Sequence, residues 1–459
     1  MDEGEDGGLI AALRAALGPQ AVLTGAAVGE RHRSDASLTG ACLPAAVLRP
    51  DTAQGIATAL RLCDAAGQAV VPQGGMTGLA GGANPRLGDI ALSLDRFAGI
   101  EEIDAASGTM TLRAGTVLEV AQGAAAAAGF LLPIDLGARG SCQIGGVIAT
   151  NAGGVRVLRY GPARDNVLGL EAVLPDGTVI SALNKALKNN TGYDLRQFLI
   201  GSEGTLGVVT RAVLRLRPLP AARRTALCAL DGFDRVLALL ARAQAALPGL
   251  SAFEVMWAPY VRFNEEAEGI RHFPEVPPFS VILEQEGTEE DAERFESFLG
   301  DALEEGLMTD ALVAQSQRDR DSFWRVREGH AMDRLLPRLV NLDVSMAMGA
   351  LGDFADTCGR QLSRRFPGAH VSFYGHLGDG NLHVAFSDPG AGEDELSEVS
   401  RIAYDLVRAQ GGSISAEHGI GTLKRPWLGW SRSAEEIALM RRIKAVFDPG
   451  GILNPGKVI

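Results

Sequence analysis

The sequence predicts an α+β fold in two domains, on three observations. From Val47 to about Pro218, short strand-like runs alternate with glycine-rich turns and only two helical stretches. From Thr225 to about Gly411, strand-like and helical segments alternate, which predicts a mixed sheet covered by helices. Between them, LRLRPLPAARR at Leu214 to Arg224 mixes prolines and arginines after a strand and reads as the boundary. We therefore expect domains over 1–218 and 219–411, and a C-terminal segment over 412–459 that packs back onto an earlier domain.

The elements follow in chain order. An amphipathic helix over Leu9 to Leu17 is ended by Gly18-Pro19. Helical periodicity recurs over Thr52 to Ala66 and Thr116 to Ala128. In the second region, strands are expected over Ala226 to Leu230, Phe279 to Gln285, Leu339 to Met348 and His370 to His376. Helices are expected over Phe233 to Ala246, Asp291 to Glu304 and Ala355 to Arg365, with a last one over Ala434 to Phe447 before the turn-rich DPGGILNPGKVI.

Composition excludes several function classes. The chain has 459 residues, 46% hydrophobic and 22% charged, as an ordinary globular protein does. A net charge of -13 argues against a nucleic-acid partner, whose phosphates it would repel. The longest apolar run, near Ala124 to Ile134, is too short to span a bilayer and is interrupted by Gly129 and Pro133. The five scattered cysteines imply a reducing compartment, and the acidic start MDEGEDGG is unlike a signal or transit peptide, so a cytoplasmic location is expected. The oligomeric state stays open, a homodimer included.

The segment GHLGDGNLH, Gly375 to His383, carries the strongest chemical signal, together with Glu417 and His418 in AEHGIG 34 residues later. A two-residue turn centred on Asp379 and Gly380 would place His376 and His383 directly opposite each other on facing strands, with Cβ atoms about 5 Å apart. Two imidazole nitrogens plus the Glu417 carboxylate, with a position left open, is the ligand set of a catalytic metal: zinc, or manganese or cobalt in the same geometry. His370 lies about 20 Å upstream along an extended strand and is left out of the set.

Three glycine-rich loops lie in the first domain: PQGGMTGLAGGANP from Pro72, the stretch Gly137 to Gly161, and the stretch Lys188 to Leu214. Such loops let main-chain N–H groups converge on a phosphate and let a planar ligand lie against backbone. Neither GxGxxG nor GxxxxGK[ST] occurs, so the expected ligand is a dinucleotide held outside a Rossmann fold.

QGGMTGLAGG, IGGVIATNAGG, IGSEGTLG, GDGNLH, AEHGIG and DPGGILNPGK, in this order and over nearly the whole chain, resemble the FAD-linked oxidase family of the vanillyl-alcohol oxidase superfamily. TNAGGVRVLRYG with NNTGYDL is most similar to its D-2-hydroxyglutarate-oxidising branch. The resemblance implies an FAD-binding domain of the vanillyl-alcohol oxidase / p-cresol methylhydroxylase type and a cap domain for substrate. It implies that Pro72, Gly74, Gly75, Met76, Thr77 and Gly78 cradle the pyrophosphate. Leu136, Ser141, Gly145, Thr150, Asn151, Gly153, Glu203, Val209 and Asn454 would complete the FAD site. Met76 stands where covalent relatives often carry histidine, so FAD is expected to be noncovalent, with Cys142 a buried small residue.

By the same resemblance His376, His383 and Glu417 would hold the metal, His418 would be the base, and Arg327, Asn341 and Tyr193 would meet the substrate. The family pattern carries a threonine near Ala331 and a lysine near Asn341; this chain has neither. The expected reaction is oxidation of a small anionic D-2-hydroxy acid to the 2-oxo acid, with hydride passing to flavin N5. D-2-hydroxyglutarate is favoured, with D-lactate, D-malate or glycolate, or a metal-free FAD alcohol oxidase, as alternatives. Electron-transfer flavoprotein, a quinone or a cytochrome would take the electrons.

Overall fold

The computed structural model describes residues 6–459. The chain forms two compact units: one comprises the residues up to Gly153, Gly161–Leu219 and Glu417–Ile459, the other Gly154–Tyr160 and Pro220–Ala416.

The first unit carries a four-stranded sheet in the order Val22–Thr24, Ala46–Leu48, Ile90–Ser93, Val70–Gln73. Its first pair is antiparallel and the other two are parallel. A five-stranded antiparallel sheet runs Ile100–Asp104, Thr109–Arg113, Val208–Arg215, Val167–Val173, Val179–Ala182. Strands of both sheets share one core with helices Ala53–Ala65 and Leu118–Ala127, including Leu48, Ile56, Leu60, Ile90, Leu112 and Leu214. Helix Ala53–Ala65 starts where Thr52 accepts a hydrogen bond from the Gly55 N–H, satisfying one of the orphan donors of the first turn.

The second unit is built on a seven-stranded sheet in the order Asp310–Val313, Ala222–Leu230, Phe279–Gly287, Leu250–Trp257, His370–His376, Asn381–Ser387, Val340–Ser345. All its pairings are antiparallel, so the mixing of strand directions lies in the first unit. Leu250–Trp257 is buried at all eight positions, as a strand covered on both faces must be. Glu284 and Glu286, side by side with buried Arg156 and with Arg159, Arg223 and Arg320, fasten the segment Gly154–Tyr160 to this sheet. Charges so deeply buried persist only when paired.

Candidate metal centre and flavin loops

The spacing of GHLGDGNLH predicts the two histidines as a directly opposed pair, and the turn overturns this. Leu377–Asp379 forms a 3₁₀ turn, followed by Gly380 in the left-handed region at φ 80°. The longer turn shifts the register: His383 stands opposite Tyr374, and His376 stands opposite Glu254 on the other neighbouring strand. Directly opposed residues share a face, as do residues two apart, so both histidines still point to one side of the sheet. Their ring centroids lie 5.7 Å apart, a diagonal pair. Gly375 is required here, since a Cβ at that position would sit 2.3 Å from the Asn381 carbonyl oxygen.

Glu254 fixes His376. It is 1% exposed, and its Oε1 accepts from His376 Nδ1 at 2.8 Å, while Arg327 Nη2 lies 2.6 Å from Oε2. Burial pushes the Glu254 carboxyl up, but His376 and Arg327 beside it outweigh that and hold the group below its ordinary range. Because a carboxylate only accepts, Nδ1 must donate, so Nε2 is the atom that could ligate a metal. Tyr374 stacks on His383 at 4.7 Å, and the Arg327 guanidinium lies 4.9 Å from the Tyr374 ring. Arg327 is thus neutralised by Glu254, but its buried Nε has no hydrogen-bond partner among the described residues. Asn341 gives its Nδ2 hydrogen to the Tyr374 hydroxyl at 2.9 Å.

Glu417 is bonded to Ala416, the last residue of the sheet unit. The residues just before it are tied to that sheet by the Ser345–Ser413 bridge and by Ser415 Oγ donating to Asp343 Oδ2 at 3.4 Å. His376, His383 and Glu417 each present a ligand atom, all within 4.8 Å of one another. Two neutral imidazole nitrogens and one carboxylate oxygen at that separation suit zinc, manganese or cobalt. His370 is not in this group; its Nε2 meets Ser372 Oγ at 2.9 Å. His418 follows Glu417 and is half-buried, whereas the Tyr193 side chain is 91% exposed. Ala331 is buried at 1% exposure.

In the first unit, Pro72 and Gln73 end a buried strand and deliver the chain into Gly74 to Gly78, which is only half-buried until exposed Gly78. Among the described residues, none of the five N–H groups from Gly74 to Gly78 meets an internal acceptor. A row of open backbone donors, with Met76 at φ 59°, is what an anion cradle needs. Gly75 passes so close to the next loop that a Cβ would lie 2.0 Å from the Ser141 carbonyl oxygen. Gly145 and Val209 are buried in the packing behind the loops, and Leu136 is partly buried against the same core. Thr150 donates to the Gly146 carbonyl at 2.9 Å, and Asn151, at φ 51°, accepts from the Arg164 N–H at 2.9 Å. Gly153 ends this stretch of the first unit, and Ser141 is exposed.

Two further residues of the loop set serve as ties. Glu203 accepts from the N–H groups of Ile420 at 2.7 Å and Gly421 at 2.8 Å, and burial pushes its carboxyl up. Asn454 gives hydrogen bonds to the carbonyls of Gly82 at 2.9 Å and Glu203 at 2.8 Å. Cys142 is 4% exposed, and burial pushes its thiol up to about 11, so it is held as an unreactive thiol.

Comparison with known proteins matches both units. An FAD binding domain matches residues 44–183, and the C-terminal domain of FAD linked oxidases matches residues 219–458. Over 420 residues the chain is 41% identical to the mitochondrial D-2-hydroxyglutarate dehydrogenase of Bos taurus, covering 90% of this chain and 76% of the relative. It is 39% identical to the D-2-hydroxyglutarate dehydrogenase of Xanthomonas citri pv. viticola, covering 90% and 89%. Among solved structures, p-cresol methylhydroxylase with substrate bound superposes with a TM-score of 0.79 at 15% identity, covering 100% of this chain and 97% of that one. At that identity the likeness speaks for the fold alone.

The expected cytoplasmic location is overturned, because the similar dehydrogenases of Bos taurus, Oryza sativa and Rattus norvegicus are mitochondrial. Scattered free thiols separate oxidising from reducing surroundings, not one reducing compartment from another. Among the described residues, no helix is long and apolar enough to cross a membrane. Open backbone N–H groups in one unit, two histidines on one face of the sheet of the other, and sequence matches over both place the chain in the family of FAD-linked oxidases.

Proposed function

We propose that this protein is a metal-assisted, FAD-dependent dehydrogenase that oxidises a D-2-hydroxy acid, with D-2-hydroxyglutarate favoured, to the 2-oxo acid. The observation that carries the reading is the group His376, His383 and Glu417, with Glu254 fixing the tautomer of His376. The names of the relatives from Bos taurus and Xanthomonas citri support the substrate class. The metal, when bound, supplies Lewis-acid stabilisation of the alkoxide that forms as the hydroxyl proton leaves. FAD, when bound, supplies the hydride acceptor at N5.

The chain's own residues do the rest. His376, His383 and Glu417 would hold the cation, and the substrate would be oriented with its hydroxyl and carboxylate towards it. His418, the neighbour of a ligand, takes the hydroxyl proton. Arg327, its charge balanced by Glu254, contributes its open Nε–H as a directional donor to the substrate rather than a bare positive field. The N–H row from Gly74 to Gly78 holds the FAD pyrophosphate, and Met76 offers no histidyl linkage, so the flavin is noncovalent. Electrons leave through an electron-transfer flavoprotein, a quinone or a cytochrome.

The distal end of the substrate is where 2-hydroxyglutarate and lactate differ. Ala331 and Asn341 bring no charge to it, and Asn341 already gives a hydrogen bond to Tyr374. A panel of D- and L-2-hydroxy acids under anaerobic conditions tests the function. D-2-Hydroxyglutarate should bleach the yellow enzyme while its L isomer does not, and its specificity constant should exceed those of D-malate and D-lactate. A clear preference for D-lactate would move the assignment to the monocarboxylate, and no bleaching by any 2-hydroxy acid would defeat it.

A further inference from the structure

Asn381 opens the strand that carries His383, two residues before it and therefore on the same face of the sheet. It stands opposite Ser345 in the neighbouring strand and is 3% exposed. Its backbone N–H donates to Asp379 Oδ1 at 3.2 Å, and its backbone lies so close to Gly375 that a side chain there would collide. The side chain is different. Both Oδ1 and Nδ2 are buried, and among the described residues neither meets a hydrogen-bond partner.

A carboxamide offers two donors and an acceptor, and leaving all of them dry in a folded core is destabilising unless something enters to meet them. Buried polar groups of this kind are exceptions in folded proteins and call for a missing partner. The neighbours narrow the choice. The same sheet face holds His376 and His383, whose rings lie 5.7 Å apart. A molecule bound at those rings through vicinal oxygens would bring further oxygen atoms to the strand position two residues from His383.

We infer that Asn381 is a substrate-binding residue for the C1–C2 end of a 2-hydroxy acid, which rests on the functional reading above. Nδ2 donates to an oxygen of the carboxylate, and Oδ1 accepts from the 2-hydroxyl before its proton is removed. An amide suits this end better than a cation or a carboxylate. It recognises both oxygens without adding charge beside the metal ligands, and it is ionised at no pH in the working range.

The role separates from a structural one by stability. If nothing inside the protein satisfies the amide, then Asn381→Leu, which matches its shape without polar atoms, should leave the melting temperature of the metal-free protein unchanged or higher. The zinc content after reconstitution should equal that of the parent. The D-2-hydroxyglutarate concentration that half-saturates anaerobic flavin reduction should rise tenfold or more, the size of a lost hydrogen bond to a charged group. Half-saturation within threefold of the parent overturns the inference, whatever the melting temperature. Should the leucine variant fail to fold, Asn381→Asp decides: it keeps the shape and sets a negative charge against the substrate carboxylate. Weaker binding of D-2-hydroxyglutarate and of its 2-oxo acid product then supports the inference, and unchanged binding of both overturns it. The parent is measured first; a parent that no 2-hydroxy acid bleaches defeats the functional reading and this one with it, whereas a responsive parent with an indifferent variant defeats Asn381 alone.

Discussion

His383→Ala should remove the metal and lower kcat/KM by roughly 10³-fold or more, while the protein stays yellow. Two ligands remain, His376 and Glu417, too few to hold a cation against water at working concentrations. The alkoxide then forms without Lewis-acid help, a loss of several kcal/mol, and each 1.36 kcal/mol is about a tenfold loss of rate. Flavin should be retained because the open N–H row belongs to the other unit of the chain. Elemental analysis and the flavin absorbance of the purified variant check both parts. Full metal content in the variant would remove His383 from the ligand set.

Glu254→Ala should have the second largest effect, on folding and metal affinity together. Its carboxylate lies between His376 Nδ1 and the Arg327 guanidinium, and Arg327 is 6% exposed. Removing the carboxylate leaves a buried cation uncompensated, which costs about 3–5 kcal/mol. It also frees the His376 ring to change tautomer and turn, and loss of such an orienting partner typically weakens metal binding by about 10-fold to 100-fold. Glu254→Gln keeps the shape and an acceptor for Nδ1 but not the charge. It should recover much of the metal affinity and little of the stability. Denaturant titration and zinc titration of the two variants check this; equal zinc affinity in the parent and the alanine variant would reduce Glu254 to a structural ion pair.

What the sequence reveals and what it hides follow from the same physics. Strand His370–His376 and helices Phe233–Ala246 and Ala434–Phe447 coincide with their expected bounds, because their apolar spacing and flanking turn residues agree. Strand Leu250–Trp257 escapes such reading. It is buried on both faces, so LSAFEVMW shows no alternation. That strand carries Glu254, and the signal that could have found it is a lone carboxylate inside an apolar run bounded by Gly249 and Pro259, since a buried charge needs a partner. Helices Ala258–Glu268, Gln317–Glu328 and Glu393–Ala409 likewise lie outside the elements expected from pattern.

The sequence shows His376, His383 and Glu417 as residue types suited to a metal, and the structure brings them together, but their register is not legible from spacing. Asp379-Gly380 reads as the centre of a two-residue turn, whereas Gly380 instead closes the 3₁₀ turn Leu377–Asp379. One such change in turn length moves His383 from opposite His376 to opposite Tyr374, and only the shared face survives. Asn381 belongs to the same motif, but its significance rests on unmet hydrogen-bonding capacity, which exists only once the surrounding strands are in place.

If the proposed function is right, oxidation needs the cation held by His376, His383 and Glu417. The most direct test strips the yellow enzyme of metal with a chelator, removes the chelator, and follows anaerobic flavin bleaching by D-2-hydroxyglutarate before and after adding one equivalent of zinc per chain. Bleaching that is lost on stripping, returns with zinc in the parent and does not return in His383→Ala is the predicted result. Full-rate bleaching by an enzyme shown by elemental analysis to hold no transition metal would show that oxidation proceeds without the cation.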